Sequence, residues 1–516
     1  MSNASKSFGP RLPLWAATAE VVTRSRLTEN ASADVCVVGG GISGLTTAYL
    51  LLQAGKSVVV LDDGPLGGGA SAVTTAHLSN AVDDRYYNIE HLHGTDGARV
   101  VAESHTAAIQ QIATVVEEEH INCDFEWLDG YLILAPETPK DVLDQERDAA
   151  YRAGLRDVAL LAETPLSAWA HAPCLHFPRQ ARFHPLEYLA GLARAVERLG
   201  GHIFTDTHAD EVHGGEPGCV RAGKKSVAAK YIVVATNSPV NDRVAIHTKQ
   251  AGYMTYVVGA RIPHGSVQDA LFWDTADPYH YVRLHRDAER PESNDILIVG
   301  GEDHPTGQES DTEGRYLRLE AWARAHFQQI EQITFRWSGQ VMETIDGVAF
   351  IGRNPLDREN VFVITGDSGM GMTHGTIGGM LIRDLIIEKH NPWAALYDPA
   401  RKTLKASGTY IRQAANMAAQ YADWVTNGDV SSVNAVAPGS GAVLRYGLKK
   451  VAVYRDFDGT LHECSAVCPH LGGVVRWNSA ELTWDCPCHG SRFDKFGVVI
   501  HSPSNQNLGP AEKGHS

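Results

Sequence analysis

Two short stretches near the C-terminal end of this 516-residue chain carry side chains that bind metals: Cys468-Pro-His470 within "CPHLGG" and Cys486-Pro-Cys-His489 within "CPCHGSRFD". Each stretch supplies one thiolate and one imidazole, and fifteen residues separate His470 from Cys486. Such a set suits either a tetrahedral zinc or an iron–sulfur cluster. Zinc-finger spacings keep the Cys pair apart from the His pair, whereas a [2Fe–2S] centre with two thiolates on one iron and two imidazoles on the other accepts one of each from each loop. The spacing favours the cluster, with zinc as the competitor.

A second, unrelated constellation lies near the start. In "VVGGGISGL", Gly39, Gly41 and Gly44 meet the spacing G-x-G-x-x-G between an apolar strand and a helix. The first glycine permits a tight turn, the second lets the backbone approach a pyrophosphate, and the third lets helix and strand pack closely, with negative charge at the helix N-terminus. Ser43 lies in the first turn of that helix, and Asp62 ends the next strand, where its carboxylate can accept from ribose hydroxyls. Three features favour FAD over NAD. The fingerprint begins only 38 residues into the chain, "YIVVATNSP" with Ala235 can return beside the nucleotide, and "VFVITGDSGMGMTHGT" offers a second glycine loop for a long cofactor. In that loop Gly366 and Asp367 can meet ribityl hydroxyls or the pyrophosphate, or simply make a turn. The amides of Gly371, Met372 and Thr373 can face a flavin ring.

These residues need a scaffold. Residues 34–63 read as strand, glycine turn, helix and strand, the first βαβ unit, and "SVVVLD" suits a parallel strand buried on both faces. Helices are expected around 96–120, 140–153 and 186–199. From 230 to 345 the texture changes to aromatic and β-branched strands separated by polar turns, as in an inserted mixed-sheet subdomain for substrate. Residues 360–387 repeat the strand, glycine turn, helix pattern. The expected architecture is α/β: a Rossmann-type FAD-binding domain over 1–408, with nucleotide-binding parts at about 30–230 and 345–400 and a substrate subdomain at about 230–345. A linker at 409–440 then leads to a small all-β domain over 441–516.

Composition excludes several classes of partner. There are 61 acidic and 45 basic side chains, a formal charge of -16, which argues against nucleic acid and anionic lipid. No window approaches a membrane span and no signal peptide is evident, so a cytoplasmic protein is expected. Of 8 cysteines, four fall between 464 and 488, and in a reducing compartment that cluster reads as a metal site.

With these residues in view, the chain resembles FAD-dependent oxidoreductases of the D-amino-acid oxidase type, in the branch of the glycine and sarcosine oxidases. The stretches that carry the likeness are "DVCVVGGGISGLTTAYLL", "TTAHLS", "YHYVRL", "LIVGGEDHPTG", "WSGQVMETIDGVAFIGR" and "GMGMTHGTIGGML". The resemblance implies that Thr74, Thr75 and His77 lie along the flavin, with Asp346, Gly347 and Arg353 near its far side. Some relatives tether FAD through a histidine after the second strand; His77 is a candidate analogue, but its neighbours differ from the tethering pattern, and a noncovalent contact or a structural histidine is expected rather than a covalent link. The tail, with "HSPSNQNL" at 501–508, resembles Rieske domains. That likeness assigns Cys468 and Cys486 to one iron and His470 and His489 to the other. In membrane-complex Rieske proteins the counterpart of Cys488 is bridged to a cysteine where this chain has Gly473, so that disulfide is not expected. Ser491 is expected to donate to sulfide or thiolate, and Trp477, Trp484 and Phe493 either shield the cluster or pack the core.

The functional expectation is a dehydrogenase that oxidises a C–N bond of a small amine or amino acid at FAD and relays single electrons through the cluster to an external acceptor. An oxidase using dioxygen, and an electron-transfer or redox-sensing protein, are the alternatives. His374, Arg283, His280 and Tyr281 are the candidate catalytic residues, and Arg283 is placed either on a substrate carboxylate or in a structural ion pair. Because His280 and Tyr281 alternate on a strand, at most one of them faces the ligand. Homo-oligomerisation is left open.

Overall fold

The computed structural model describes residues 11–169, 171–241, 246–286 and 294–511. Its first layer is an eight-stranded sheet in the order 350–353, 361–365, 225–234, 31–38, 58–61, 202–204. The five strands from 361–365 to 202–204 run parallel, and the strands 218–222 and 211–213 extend the sheet as an antiparallel flap on 225–234. Val58–Leu61 is buried at every position, as a parallel strand covered on both faces must be. The helices Ile42–Gln53 and Gly371–Ile386 pack on each other against this sheet.

The second layer is a nine-stranded mixed sheet in the order 332–344, 250–262, 295–305, 281–285, 271–274, 126–133, 174–182, 77–78, with 159–161 paired to 174–182. Four of its strands precede residue 230, so this sheet is not the contiguous insertion at 230–345 that the change of texture suggests. The segments 126–133 and 174–182 carry strand character that helix-rich neighbours mask in the sequence. The three anticipated helices are present as Tyr86–Glu118, kinked at Gly94, Asp141–Ala153 and Pro185–Arg198.

The tail is all β, with a three-stranded sheet (440–446, 449–455, 461–465) and a four-stranded one (476–478, 483–485, 492–494, 499–501). Residues 409–440 are not an extended linker. They include most of the helix Ser407–Gln420 and two short 3₁₀ turns, and Trp424 and Tyr421 dock on the cluster loop through bonds to Gly472 O (3.0 Å) and Leu471 O (2.8 Å). Among the described residues no helix is long and apolar enough to cross a membrane.

Candidate active site and cluster loops

A cavity of about 290 Å³ runs between the two large sheets. One end is built by the glycine turn. Gly39 adopts φ +107°, and a Cβ there would fall 2.4 Å from Ala235 O; a Cβ on Gly44 would fall 1.8 Å from Gly39 O. Gly41, by contrast, faces the cavity, with Ser71 Oγ at 3.1 Å as its nearest neighbour. Asp62 folds back over the turn, accepting from Gly40 N (2.5 Å) and Gly64 N (2.9 Å). Burial first, then the neighbouring Asp63, pushes its pKa up to about 7. This cradle, with a helix N-terminus and a carboxylate beside it, fits a dinucleotide. Ser43, Ala235, Asp367, Gly371 and Met372 also line the cavity, whereas Gly44, Gly366 and Thr373 stand behind its wall.

Thr74, Thr75 and His77 line the cavity too. His77 Nδ1 meets Thr75 Oγ1 at 3.0 Å, and burial, reinforced by Arg283, lowers its pKa to about 3. The ring is therefore neutral at physiological pH. Asp346 and Arg353 do not reach the cavity. Asp346 is held by Arg401 (2.7 and 2.9 Å) and Thr403, and Arg353 is exposed beside Glu359. Gly347 packs on Asp84.

The four catalytic candidates separate. Tyr281 faces the cavity, its hydroxyl 2.7 Å from Thr255 Oγ1. His280 points the other way, stacked on Trp322 at 4.0 Å and bonded to Asp274 at 2.9 Å, as strand alternation requires. Arg283 is 1% exposed and lies behind the cavity. It donates to the carbonyls of Thr75, Ala76, Phe183 and Leu284 and sits over the Trp15 ring. That makes it a structural cation bracing the Thr75–Ala76 backbone. His374 lines the cavity, but Nδ1 bonds Asp367 O at 2.8 Å and Nε2 faces His105 Nε2 at 3.2 Å, while His105 Nδ1 meets Thr373 Oγ1 at 2.8 Å. Burial lowers the His374 pKa to about 4. A neutral His374 donating from Nδ1 accepts from His105 at Nε2, which leaves neither nitrogen for a substrate proton.

In the tail, His470 and His489 stand 4.9 Å apart. The thiol of Cys468 contacts that of Cys486 and receives a hydrogen bond from Ser491. Among the described residues no three His, Cys, Asp or Glu side chains converge on one point. A pair of facing thiols and a pair of neighbouring imidazoles, each loop supplying one of each, match the donor types of a two-iron centre. All eight cysteines are free, and a Cβ on Gly473 would touch Cys488 Sγ at 2.6 Å. Trp484 and Phe493 are fully buried in the same core as the cluster cysteines, with Trp477 packed against it.

The two sites meet. Gln340 lines the cofactor cavity and donates to Gly490 O (2.7 Å), the residue next to His489. His247 packs edge-on to His470 at 4.8 Å, and Gln308 donates to Pro487 O (3.2 Å). His501, Ser502 and Asn505 of the tail line the nucleotide end of the cavity, with Ser502 Oγ donating to Thr236 O. None of Gln340, His247, Asp83, Asp303 or Glu343 was singled out from the sequence. Period-2 alternation along 332–344 is the one signal that could have placed Gly339, Val341 and Glu343 on a common face.

The model of the family "FAD dependent oxidoreductase" matches residues 34–385. The chain belongs to that family. The Rieske [2Fe-2S] domain model matches residues 423–511, beginning inside the segment anticipated as linker. The protein is thus an FAD-dependent oxidoreductase fused to a Rieske domain, with FAD and a [2Fe–2S] cluster as its cofactors. It is similar over its whole length to YhfW of Bacillus subtilis (strain 168), which is named for a Rieske 2Fe-2S centre and not for an activity: 29% identity, covering 98% of this chain and 99% of that one. Gamma-glutamylputrescine oxidoreductase of Escherichia coli (strain K12) is 27% identical over 70% of this chain and 85% of its own. Among solved structures, glycine oxidase from Geobacillus kaustophilus shares the fold with a TM-score of 0.61 at 19% identity, covering 72% of this chain and all of that one.

Proposed function

We propose that the protein oxidises a C–N bond of a small amine and passes the electrons singly to its own cluster, from which an external one-electron acceptor withdraws them. The observation that carries this reading is the Gln340 side chain, which lines the cofactor cavity and donates to Gly490 O in the loop of His489. When bound, FAD supplies two-electron acceptance from a substrate carbon and the Rieske centre supplies single-electron transfer. The chain's own residues do the rest. Thr74, Thr75 and His77 form one wall; Trp273, Tyr279 and Tyr281 supply an aromatic wall; the buried His105–His374 pair stiffens the glycine loop. The names of the glycine and gamma-glutamylputrescine relatives both denote amine substrates, which supports the reaction class.

A second reading is favoured by the solved relatives titled oxidases: dioxygen takes the electrons and the tail braces or tunes the flavin domain. One anaerobic experiment separates them. Amines and amino acids are mixed with holoenzyme while flavin absorbance and the cluster's electron paramagnetic resonance are followed. The relay reading expects bleaching followed by a reduced-cluster signal, and expects Cys468→Ser to keep bleaching but lose acceptor-dependent turnover. Undiminished turnover of Cys468→Ser in air, with stoichiometric hydrogen peroxide, replaces it with the oxidase reading.

A further inference from the structure

One end of the cavity is lined by carboxyl groups. Glu343 and Asp303 stand on strands 332–344 and 295–305, with Thr255 on the strand between them, and Asp83 and Asp367 approach from the adjoining loops; all four carboxylates line the cavity. Among the described lining residues there is no Lys or Arg. The nearby guanidinium groups are engaged elsewhere: Arg85 on the carbonyls of Val82 and Asp274, Arg315 on Glu302 and Glu309.

Tyr279 donates to one oxygen of Asp83 at 3.0 Å. Asp303 is different, because its Oδ1 is closed off from solvent and accepts no hydrogen bond. Burial pushes the Asp303 pKa up to about 7, and burial followed by repulsion from Asp84, Asp83, Asp367 and Asp303 itself holds Glu343 well above the usual range. Thr255 donates to the Asp303 carboxylate but leaves Oδ1 without a donor; a buried carboxylate oxygen left unpaired is costly, and a cation entering the cavity relieves that cost. A substrate carboxylate would add to the crowding of carboxyl groups here, with no guanidinium among the described lining residues to receive it.

We infer that the substrate carries a second positive charge and no carboxylate at this end, the diamine or polyamine class, with Asp303 and Glu343 holding the cationic group remote from the reacting carbon. This rests on the amine reading above and names the class of amine.

Three ligands of matched length test it on the holoenzyme: 1,4-diaminobutane, butylamine and 4-aminobutanoate, with affinity read by anaerobic calorimetry and flavin reduction read in parallel by absorbance. The diamine is expected to bind about 10-fold or more tighter than butylamine, and the amino acid more weakly than either. Asp303→Asn and Glu343→Gln, near-isosteric and neutral, are expected to erase that preference while FAD content is retained. Equal or tighter binding of 4-aminobutanoate, or no binding by any of the three at millimolar concentration, overturns the inference, and the wild-type series decides even where a variant fails to fold. The two levels stay separable. Preference for the diamine without bleaching by any ligand supports the cation-binding pocket and removes the amine-oxidation reading. Bleaching at equal affinities does the reverse.

Discussion

Arg283→Met separates a structural cation from a substrate anchor. The guanidinium NH1 donates to Thr75 O, Ala76 O and Phe183 O at 3.1, 2.8 and 3.2 Å, and NH2 has no hydrogen-bond partner. Methionine keeps an apolar stem but leaves the carbonyls of Thr75, Ala76, Phe183 and Leu284 without this donor, at about 1–2 kcal/mol each. Removing a desolvated charge returns part of this, for a net loss of about 2–4 kcal/mol. With an unfolding entropy of about 2.1 cal/mol/K per residue over the matched 34–385 unit of about 350 residues, Tm falls by roughly 3–5 °C. The assay is thermal unfolding followed by flavin fluorescence, together with kcat and KM well below the transition. KM for the substrate is expected to change by no more than about threefold, because Arg283 does not line the cavity. A guanidinium that held a substrate carboxylate would contribute about 1.5–3 kcal/mol, or roughly 10–150-fold in KM. An unchanged Tm with a KM increase in that range would refute the structural assignment.

Two further substitutions probe the cofactor loops. Gly41→Ala meets only Ser71 Oγ at 3.1 Å and projects into the cavity, so Tm of the apoprotein should stay within about 2 °C while FAD affinity, read by fluorescence quenching, falls about 100-fold. Gly44→Ala places Cβ 1.8 Å from Gly39 O and should instead destabilise the fold by about 3 kcal/mol or more, read by denaturant unfolding; equal effects of the two would refute their distinct roles. Gly473→Cys places Cβ 3.4 Å from Cys488 Cβ, near the usual disulfide separation of about 3.5–4.5 Å, and should pair with it under oxidising conditions. Closing that loop of about 15 residues stabilises by about 3 kcal/mol. Continued alkylation of Cys488 in the oxidised variant would contradict the geometry.

What was legible in the sequence is what depends on local spacing. The glycine fingerprint works over six residues of one turn, and Gly39, Gly41 and Gly44 occupy the anticipated positions because a strand–turn–helix leaves few alternatives. The same holds for the two cluster loops, each a short segment with its own ligands. Side-chain direction on a known strand was equally readable: alternation allowed only one of His280 and Tyr281 into the cavity, and Tyr281 is the one. Arg283, by that same alternation, shares the Tyr281 side of its strand, yet it is taken up by carbonyls of 75–76 and 183 that lie about a hundred residues or more away in sequence. No local pattern announces such a partner.

The contact between the two redox sites was invisible for the same reason, on a larger scale. Gln340 looks in sequence like one polar residue on a strand, and His247 like one histidine before the next. Only the packing of the tail against the mixed sheet makes the first a donor to Gly490 and the second a neighbour of His470. The covalent link alone would hold the domains at a high effective concentration in many orientations. What selects one orientation is a set of directional bonds: Gln340 and Gln308 to carbonyls of the 486–490 loop, Tyr316 to Glu481, and Ser502 to Thr236. These bonds set His470 and His489 beside His247 of the flavin domain. On the relay proposed above, an outside acceptor has to approach from a face that His247 and Gln340 do not cover.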